Sequence, residues 1–295
     1  MKANTRQDYL RRIDRVVAVL QSAVAQGDAL PDLAQLAEAA HLSPFHFHRI
    51  YRALSGETVG QTVARLRLLR ALQLLAEPEE RVTEAALAVG YETPQAFARV
   101  FRQAFDATPS ELRGKQALLQ AAMQRLRGPA PRDDAGEPAL RVEVVSVEPF
   151  RVVATRYVGD HRDLDQAYGR LFAWAADHGL LERMRSLYGV PHDGGPDAAL
   201  DEGAFDCALA FEGGDVAADG DTFALQLGGG LWARWRHVGS YDRLGVLTDR
   251  LIARWLPDSG YQLRDALPFR QFMDDPEVVP EAALRADIYL PVAPC

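Results

Sequence analysis

Two helix starts of the same type, fifty residues apart, constrain the first half of this sequence more than any other feature. Residues 43–52 begin with Ser-Pro and residues 93–102 begin with Thr-Pro. Both segments carry phenylalanine at the fifth position and arginine at the seventh and tenth. Serine or threonine at the N-cap with proline at the first helical position favours a helix start. The repetition therefore predicts one helix-turn-helix unit used twice, with two recognition helices able to reach successive major grooves of DNA.

The surrounding sequence supports this interpretation. Apolar residues recur at helical spacing in residues 8–26, 58–76 and the shorter stretches before each recognition helix. Residues 128–139 are rich in glycine, proline and acidic residues, which cannot pack a core, so they are the predicted linker. We therefore expect an all-α double helix-turn-helix domain over residues 1–127.

The second half changes period. Alternating apolar residues predict strands, for example at 141–147 and 150–158, and amphipathic segments predict two longer helices. Residues 154–173 match residues 234–253 with seven identities in twenty positions. The sequence thus predicts an α+β domain over residues 140–295, built from two pseudo-symmetric strand-helix-strand units with a groove between them.

Charge and cysteine usage narrow the class further. Residues 1–128 hold 17 basic and 13 acidic residues, whereas the remainder holds 16 and 28. A basic half joined to an acidic half suggests two partners of opposite character, although chance scatter is the alternative. The two cysteines lack metal-ligand spacing, and no signal-peptide or membrane-spanning stretch occurs. We expect a cytoplasmic protein that binds no metal, cofactor or membrane.

The outward faces of the two recognition helices are the candidate DNA-binding surface. Arginine can donate two hydrogen bonds to guanine, and glutamine suits adenine. The candidates are Phe45, His48, Arg49, Arg52, Pro94, Gln95, Ala98, Arg99 and Arg102. Since Pro94 and Ala98 have little hydrogen-bonding capacity, we expect the first helix to read its half-site more strictly than the second. The alternative interpretation makes these arginines ordinary surface charges.

Residues from about 8 to 113 resemble the double helix-turn-helix DNA-binding domain of the AraC/XylS family of transcriptional regulators, and segments 33–58 and 82–113 carry the resemblance. The glycine-aromatic turn, the Phe-x-Arg-x-Phe core and the Thr-Pro-x-x-Leu-Arg close of the second segment carry most of the resemblance. It implies seven helices, a rigid linker helix over residues 58–76 and base contacts at the outward positions named above. It also implies promoter DNA and RNA polymerase as partners.

Aromatic residues and one acid are the candidate effector site of the second half. They are Tyr157, Trp174, Phe211, Trp232, Tyr241, Phe269, Asp287 and Tyr289. An aromatic cage with a buried carboxylate would hold a cationic aromatic ligand. The alternative is that the aromatic residues fill the core. No spacing typical of a catalytic site occurs, so no catalytic residues are assigned and we do not expect an enzyme.

Residues from about 141 to 292 resemble the GyrI-like small-molecule-binding domain, and segments 152–164, 232–244 and 255–292 carry the resemblance. The resemblance implies an effector-binding module made of two strand-helix-strand units around a groove, with Asp287 as the candidate acid. Stand-alone members of that family include hydrolases. The alternative function is therefore a small-molecule hydrolase or a drug-sequestering module.

Overall fold

The computed structural model describes residues 3–77, 79–128, 140–160, 164–192, 202–213 and 216–295. The chain divides into two compact units, one formed by residues 8–133 and the other by residues 134–295 with residues 1–7. Except for Gly128, the predicted linker 128–139 lies outside the described residues. The domain boundaries at residues 127 and 140 stay a prediction.

The first unit is helical throughout its described elements. These are α1 (Ala3–Gln26), α2 (Leu33–Ala39), α3 (Pro44–Ser55), α4 (Val59–Leu75), α5 (Val82–Ala88), α6 (Pro94–Phe105), α7 (Pro109–Leu112) and α8 (Gln116–Arg125). Side chains fix several of the helix starts. Thr58 and Gln61 form a reciprocal capping box at α4, and Thr108 with Glu111 does the same at α7. The predicted helical class of this half is confirmed.

The second unit contains strands and helices. The described strands are β1 (Glu143–Ser146), β2 (Phe150–Asp160), β3 (Met184–Pro191), β4 (Glu202–Phe211), β5 (Phe223–Leu227), β6 (Leu231–Val238), β7 (Tyr261–Leu263), β8 (Phe269–Phe272) and β9 (Arg285–Pro294). Helix α9 (Leu164–Asp177) follows β2. Helix α10 (Leu244–Arg250) follows β6 and continues through a π-helical turn, Leu251–Trp255, into α11 (Leu256–Ser259). The predicted α+β class is confirmed.

The strand order shows the internal repeat. Within the described residues the order is β1-β6-β9-β8-β3-β4-β2-β5, with β7 paired to β9, and all pairings are antiparallel. Strands β2, β3 and β4 of one half correspond to β6, β8 and β9 of the other, and the β3–β8 pair joins the halves. The matching segments 154–173 and 234–253 place β2 and α9 in register with β6 and α10.

The sequence did not predict β3, β7 or β8. Strand β3 contains Gly189 and Pro191, which are depleted in strands. The structure explains the glycine, because a Cβ at Gly189 would lie 2.4 Å from the Phe205 ring. At Gly189 the sequence of this central strand therefore reflects close packing more than strand propensity.

The two faces of the sheet carry different cores. One face packs against α9, whose Ala167, Leu171 and Ala175 contact buried residues of β4 such as Phe205. On the opposite face a second cluster includes Phe150, Tyr188, Trp232, Phe269 and Tyr289. We call this second surface the aromatic face. Which of the two faces a strand residue occupies follows from its position in the strand, since neighbouring residues of one strand point to opposite faces.

Candidate DNA-binding and effector-binding sites

The two recognition helices follow turns that need a left-handed backbone. His41 adopts a φ of 51° between α2 and α3, and Gly90 adopts 82° between α5 and α6. At Gly90 this positive φ is the reason that glycine is favoured, since the nearest atoms to a Cβ there belong to the flexible end of the Arg67 side chain. The two turns present α3 and α6 as the second helices of helix-turn-helix units.

Helix α6 presents polar side chains to solvent. Thr93 caps its start by accepting a hydrogen bond from the Ala96 N–H at 3.2 Å. Gln95, Arg99 and Arg102 are exposed, as the sequence predicted, while the two weakly polar candidates on this helix, Pro94 and Ala98, are half-buried. Phe97 and Phe101 hold the opposite face in the core.

Helix α3 differs. Phe47, Ile50 and Tyr51 are buried, as predicted. Arg49, however, is only 2 % exposed, so its predicted outward position is wrong. The physical reason is helix geometry. Arg49 lies on the same face of α3 as His46, three residues before it, and Ala53, four residues after it, and both of these are buried.

The remaining α3 candidates are only partly accessible. His48 and Arg52 are half-buried. The side chain of Phe45 lies outside the described part of the chain. Of the arginines predicted to face DNA, Arg99 and Arg102 on α6 are therefore the more exposed.

Three predicted effector-site residues come together on the aromatic face. Phe269 stacks on Tyr289 with ring centroids 4.4 Å apart, and it meets Trp232 edge-on at 4.7 Å. Tyr188 packs edge-on against Phe269 with ring centroids 5.9 Å apart, and its ring is tilted against that of Phe150 at 5.1 Å. The structure thus brings Trp232, Phe269 and Tyr289 together.

Two predicted members of that site, Tyr157 and Phe211, lie on the opposite face. Both belong to the core beneath α9, because they alternate with the residues of β2 and β4 that point to the aromatic face. They therefore do not come together with Trp232, Phe269 and Tyr289.

Trp174 and Tyr241 are also placed elsewhere. Trp174 packs into the core beneath α9, and its Nε1 donates to Asp219 Oδ1 at 2.6 Å. Tyr241 donates its hydroxyl hydrogen to main-chain carbonyls of Asp274 and Arg285, and its ring contacts Phe272. Since Phe272 contributes to the core beneath α9, these two residues do not join the aromatic cluster either.

Asp287 is buried on the aromatic face, but its carboxylate is already paired. Arg236 donates to Asp287 through Nε at 2.7 Å and Nη2 at 2.8 Å. This bidentate bond raises the pKa of Arg236. Asp287 therefore does not offer the uncompensated charge that a cage for cations requires.

The other half of the sheet contains the equivalent pair, which sequence reasoning missed. Arg156, eighty residues before Arg236, donates to both oxygens of Asp206 at 2.8 and 3.1 Å. His192 Nε2 lies 2.7 Å from the same carboxylate. Burial alone raises the pKa of Asp206, but the hydrogen bonds from His192 and Arg156 outweigh it and leave that pKa below its ordinary value. The identity of Arg156 and Arg236 in the sequence repeat was the available signal.

Comparisons with known proteins agree with this architecture. Residues 36–115 match the model of a helix-turn-helix domain family, and residues 141–293, about half of the chain, match that of the GyrI-like small molecule binding domain. The regulatory protein SoxS of Salmonella typhimurium is 35% identical over 78 residues, which are 26% of this chain and 73% of SoxS. The chain belongs to the AraC family and carries a GyrI-like domain. This AraC-family protein is a DNA-binding transcriptional regulator with a small-molecule-binding domain.

Two further matches also cover single domains. The HTH-type transcriptional activator RhaS of Citrobacter koseri is 36% identical over 86 residues, 29% of this chain and 31% of RhaS. The match to the crystal structure of the EcmrR C-terminal domain covers 53% of this chain and 99% of the EcmrR chain, with 15% identity and a TM-score of 0.43. Across the described residues of the AraC-family chain, no helix is long and apolar enough to cross a membrane, and no cluster of metal-ligating side chains is found.

Proposed function

We propose that α6 makes the principal base contacts of this regulator. The observation that supports this proposal is the exposure of Gln95, Arg99 and Arg102 on one helix whose opposite face is anchored by Phe97 and Phe101. Arginine and glutamine side chains can each form two hydrogen bonds with a purine edge in the major groove. Helix α3 then contributes through His48 and Arg52, with a smaller share of the specificity.

Selection from a pool of random duplexes tests the proposal with the full chain. We expect enrichment of one site in which two recognition sequences lie about one helical turn, roughly 34 Å, apart. The base pairs contacted by α6 should be more strictly specified than those contacted by α3. They can be recognised because the base preference at one of them should weaken when the selection is repeated with Arg99→Ala. Stricter specification under α3, or no enrichment at all, would contradict the proposal.

The aromatic face is the proposed effector site. It combines a cluster of five aromatic rings with two ion pairs on the same face. A mainly apolar surface with a few polar groups is typical of small-molecule sites. A neutral aromatic probe, 2-naphthalenemethanol, should bind the full chain in isothermal titration calorimetry. Tyr188→Leu should weaken that binding, whereas Trp174→Phe beneath α9 should leave it unchanged. The opposite pattern would place the effector elsewhere.

Effector binding is proposed to change the affinity for DNA. Such a change requires that the effector bind the DNA-bound and free states with different affinity, and the coupling must be reciprocal. Measuring probe affinity with and without the selected duplex tests it, and equal affinities would reject it. Because the relative RhaS is named a transcriptional activator, we also propose that the DNA-bound protein contacts RNA polymerase.

We infer further that the GyrI-like domain binds its ligand without hydrolysing it. Burial raises the pKa of the Cys207 thiol to about 12, so this side chain is a poor nucleophile. The carboxylates of Asp206 and Asp287 are both engaged by arginine, which leaves neither as an available general base. Turnover of aromatic esters by the full chain that is lost in Asp206→Asn would contradict this inference.

A further inference from the structure

Four arginines surround the aromatic cluster, and one of them differs in its contacts. Three are paired with a carboxylate at 2.5 to 2.8 Å: Arg156 with Asp206, Arg234 with Glu143 and Arg236 with Asp287. The fourth, Arg264, lies between β7 and β8 and has no carboxylate within 4.0 Å among the described residues. Among these four arginines, and within the described part of the chain, Arg264 is the one without a paired carboxylate.

Arg264 is nonetheless held in place and partly desolvated. Its guanidinium carbon lies 4.7 Å from the centroid of the Trp232 ring, and its Nη2 donates to the Gly229 carbonyl. Its Nε is buried without a hydrogen-bond partner in the described part of the chain. Burial lowers the pKa of Arg264. A buried guanidinium N–H without an acceptor is unfavourable, and it would be satisfied by an anionic group of a ligand.

The accessible charge on this face points the same way. Asp206 and Asp287 are each 1 % exposed, whereas the side chains of their partners Arg156 and Arg236 are 50 % and 51 % exposed. The third carboxylate of this face, that of Glu143, is accessible: its side chain is 66 % exposed, against 36 % for its partner Arg234. The charged groups named here are four guanidinium groups and three carboxylates, and this positive excess favours an anion over an organic cation.

We propose that the effector is an aromatic molecule bearing a carboxylate, and that this carboxylate accepts hydrogen bonds from Arg264 beside Trp232. The proposal rests on the aromatic face being the effector site, and it replaces the cationic effector expected from the sequence. A hydrogen bond between two charged groups is roughly twice as strong as one between neutral groups. Arg264 therefore selects for the charge of the ligand, while the aromatic rings select for its shape.

Isothermal titration calorimetry of the full chain with three probes that share one ring system tests the proposal. The probes are 2-naphthoate, 2-naphthalenemethanol and 2-naphthylmethylammonium. Naphthoate should bind about tenfold or more tightly than the neutral alcohol, and the cation should bind most weakly. Arg264→Gln should reduce naphthoate binding to the level of the alcohol and leave the alcohol unchanged. Arg264→Lys should retain part of the preference.

Arg234→Gln is the matched control, since it removes a charge from the same face but not the proposed contact. Unchanged binding of the alcohol shows that each variant keeps a folded aromatic face. Equal or tighter binding of the cation, or a naphthoate preference that survives Arg264→Gln, would overturn the proposal about ligand charge alone. Binding of none of the three probes would overturn that proposal and the assignment of the effector site together.

Discussion

Helices α3 and α6 share a sequence pattern and occupy equivalent places in their units, yet they present different surfaces. Arg99 of α6 is exposed, whereas its counterpart Arg49 of α3 is buried together with His46. The helix starts and the core phenylalanines follow the repeat. The accessibility of the arginines does not, because it depends on what packs around each helix. A repeat in register therefore predicts which residues form the core better than which residues contact DNA.

The interiors of the two helix-turn-helix units also differ. The second helix-turn-helix unit packs four aromatic rings in a row, Tyr91, Phe97, Phe101 and Phe105, with centroids 4.7 to 5.3 Å apart. In the first helix-turn-helix unit Tyr51 occupies the position equivalent to Phe101, and its hydroxyl lies 2.6 Å from that of Thr62. One unit is therefore stabilised by apolar packing alone at this position, and the other by packing with a buried hydrogen bond.

The largest expected effect comes from Arg99→Ala, which should weaken binding to the selected duplex by about 1–3 kcal/mol and relax specificity at one base pair. The reason is the loss of a two-bond contact from an exposed guanidinium on α6. Fluorescence anisotropy at constant salt measures the change. Arg11→Ala on α1 is the control, since it removes an exposed arginine from a helix outside the two helix-turn-helix units. An equal loss of DNA affinity in the two variants would mean that Arg99 contributes only its positive charge and no specific base contact.

Arg49→Ala should instead reduce stability, by about 1–3 kcal/mol, because it empties a buried position on α3. Urea unfolding followed by circular dichroism measures the change, and Arg49→Met should recover most of it by restoring the buried volume without the charge. Unchanged stability combined with a loss of DNA affinity would show that Arg49 turns outward on DNA, and the contrast between α3 and α6 would disappear.

The sequence could predict the helices, the α+β class and the core of this protein because they follow from periodicity, caps and repeats. Trp232, Phe269 and Tyr289 share one face of the sheet, but Tyr157 and Phe211 lie on the other, since which face a strand residue occupies depends on register. The pairing of Asp287 with Arg236 joins residues 51 positions apart on neighbouring strands. Such contacts between distant residues are set by strand order, which local patterns do not specify.

A smaller effect is expected from Tyr51→Phe, which should lower stability by about 1 kcal/mol by removing the buried hydrogen bond with Thr62. Burial raises the pKa of Tyr51 from 10.0 to about 12. Because the unfolded state loses this proton first, the stability contributed by the neutral phenol is complete below pH 10 and is lost as pH rises towards 12. Urea unfolding across that interval should show a steeper decline for the native chain than for the variant. Parallel declines would mean that Tyr51 ionises as readily in the folded protein.

The smallest expected effect concerns the helix ends. Helix α3 ends at Gly56 with a φ of 88°, and α6 ends at the equivalent Asp106 with a φ of 53°. A residue with a side chain is strained in this left-handed conformation, and aspartate tolerates it better than most. Asp106→Gly should therefore raise stability by only about 0.5 kcal/mol, since glycine also gains freedom in the unfolded chain. The reverse substitution, Gly56→Asp, should lower stability by about 1 kcal/mol in the same urea titration. A gain at both positions, or a loss at both, would show that the C-caps are held by contacts other than backbone strain.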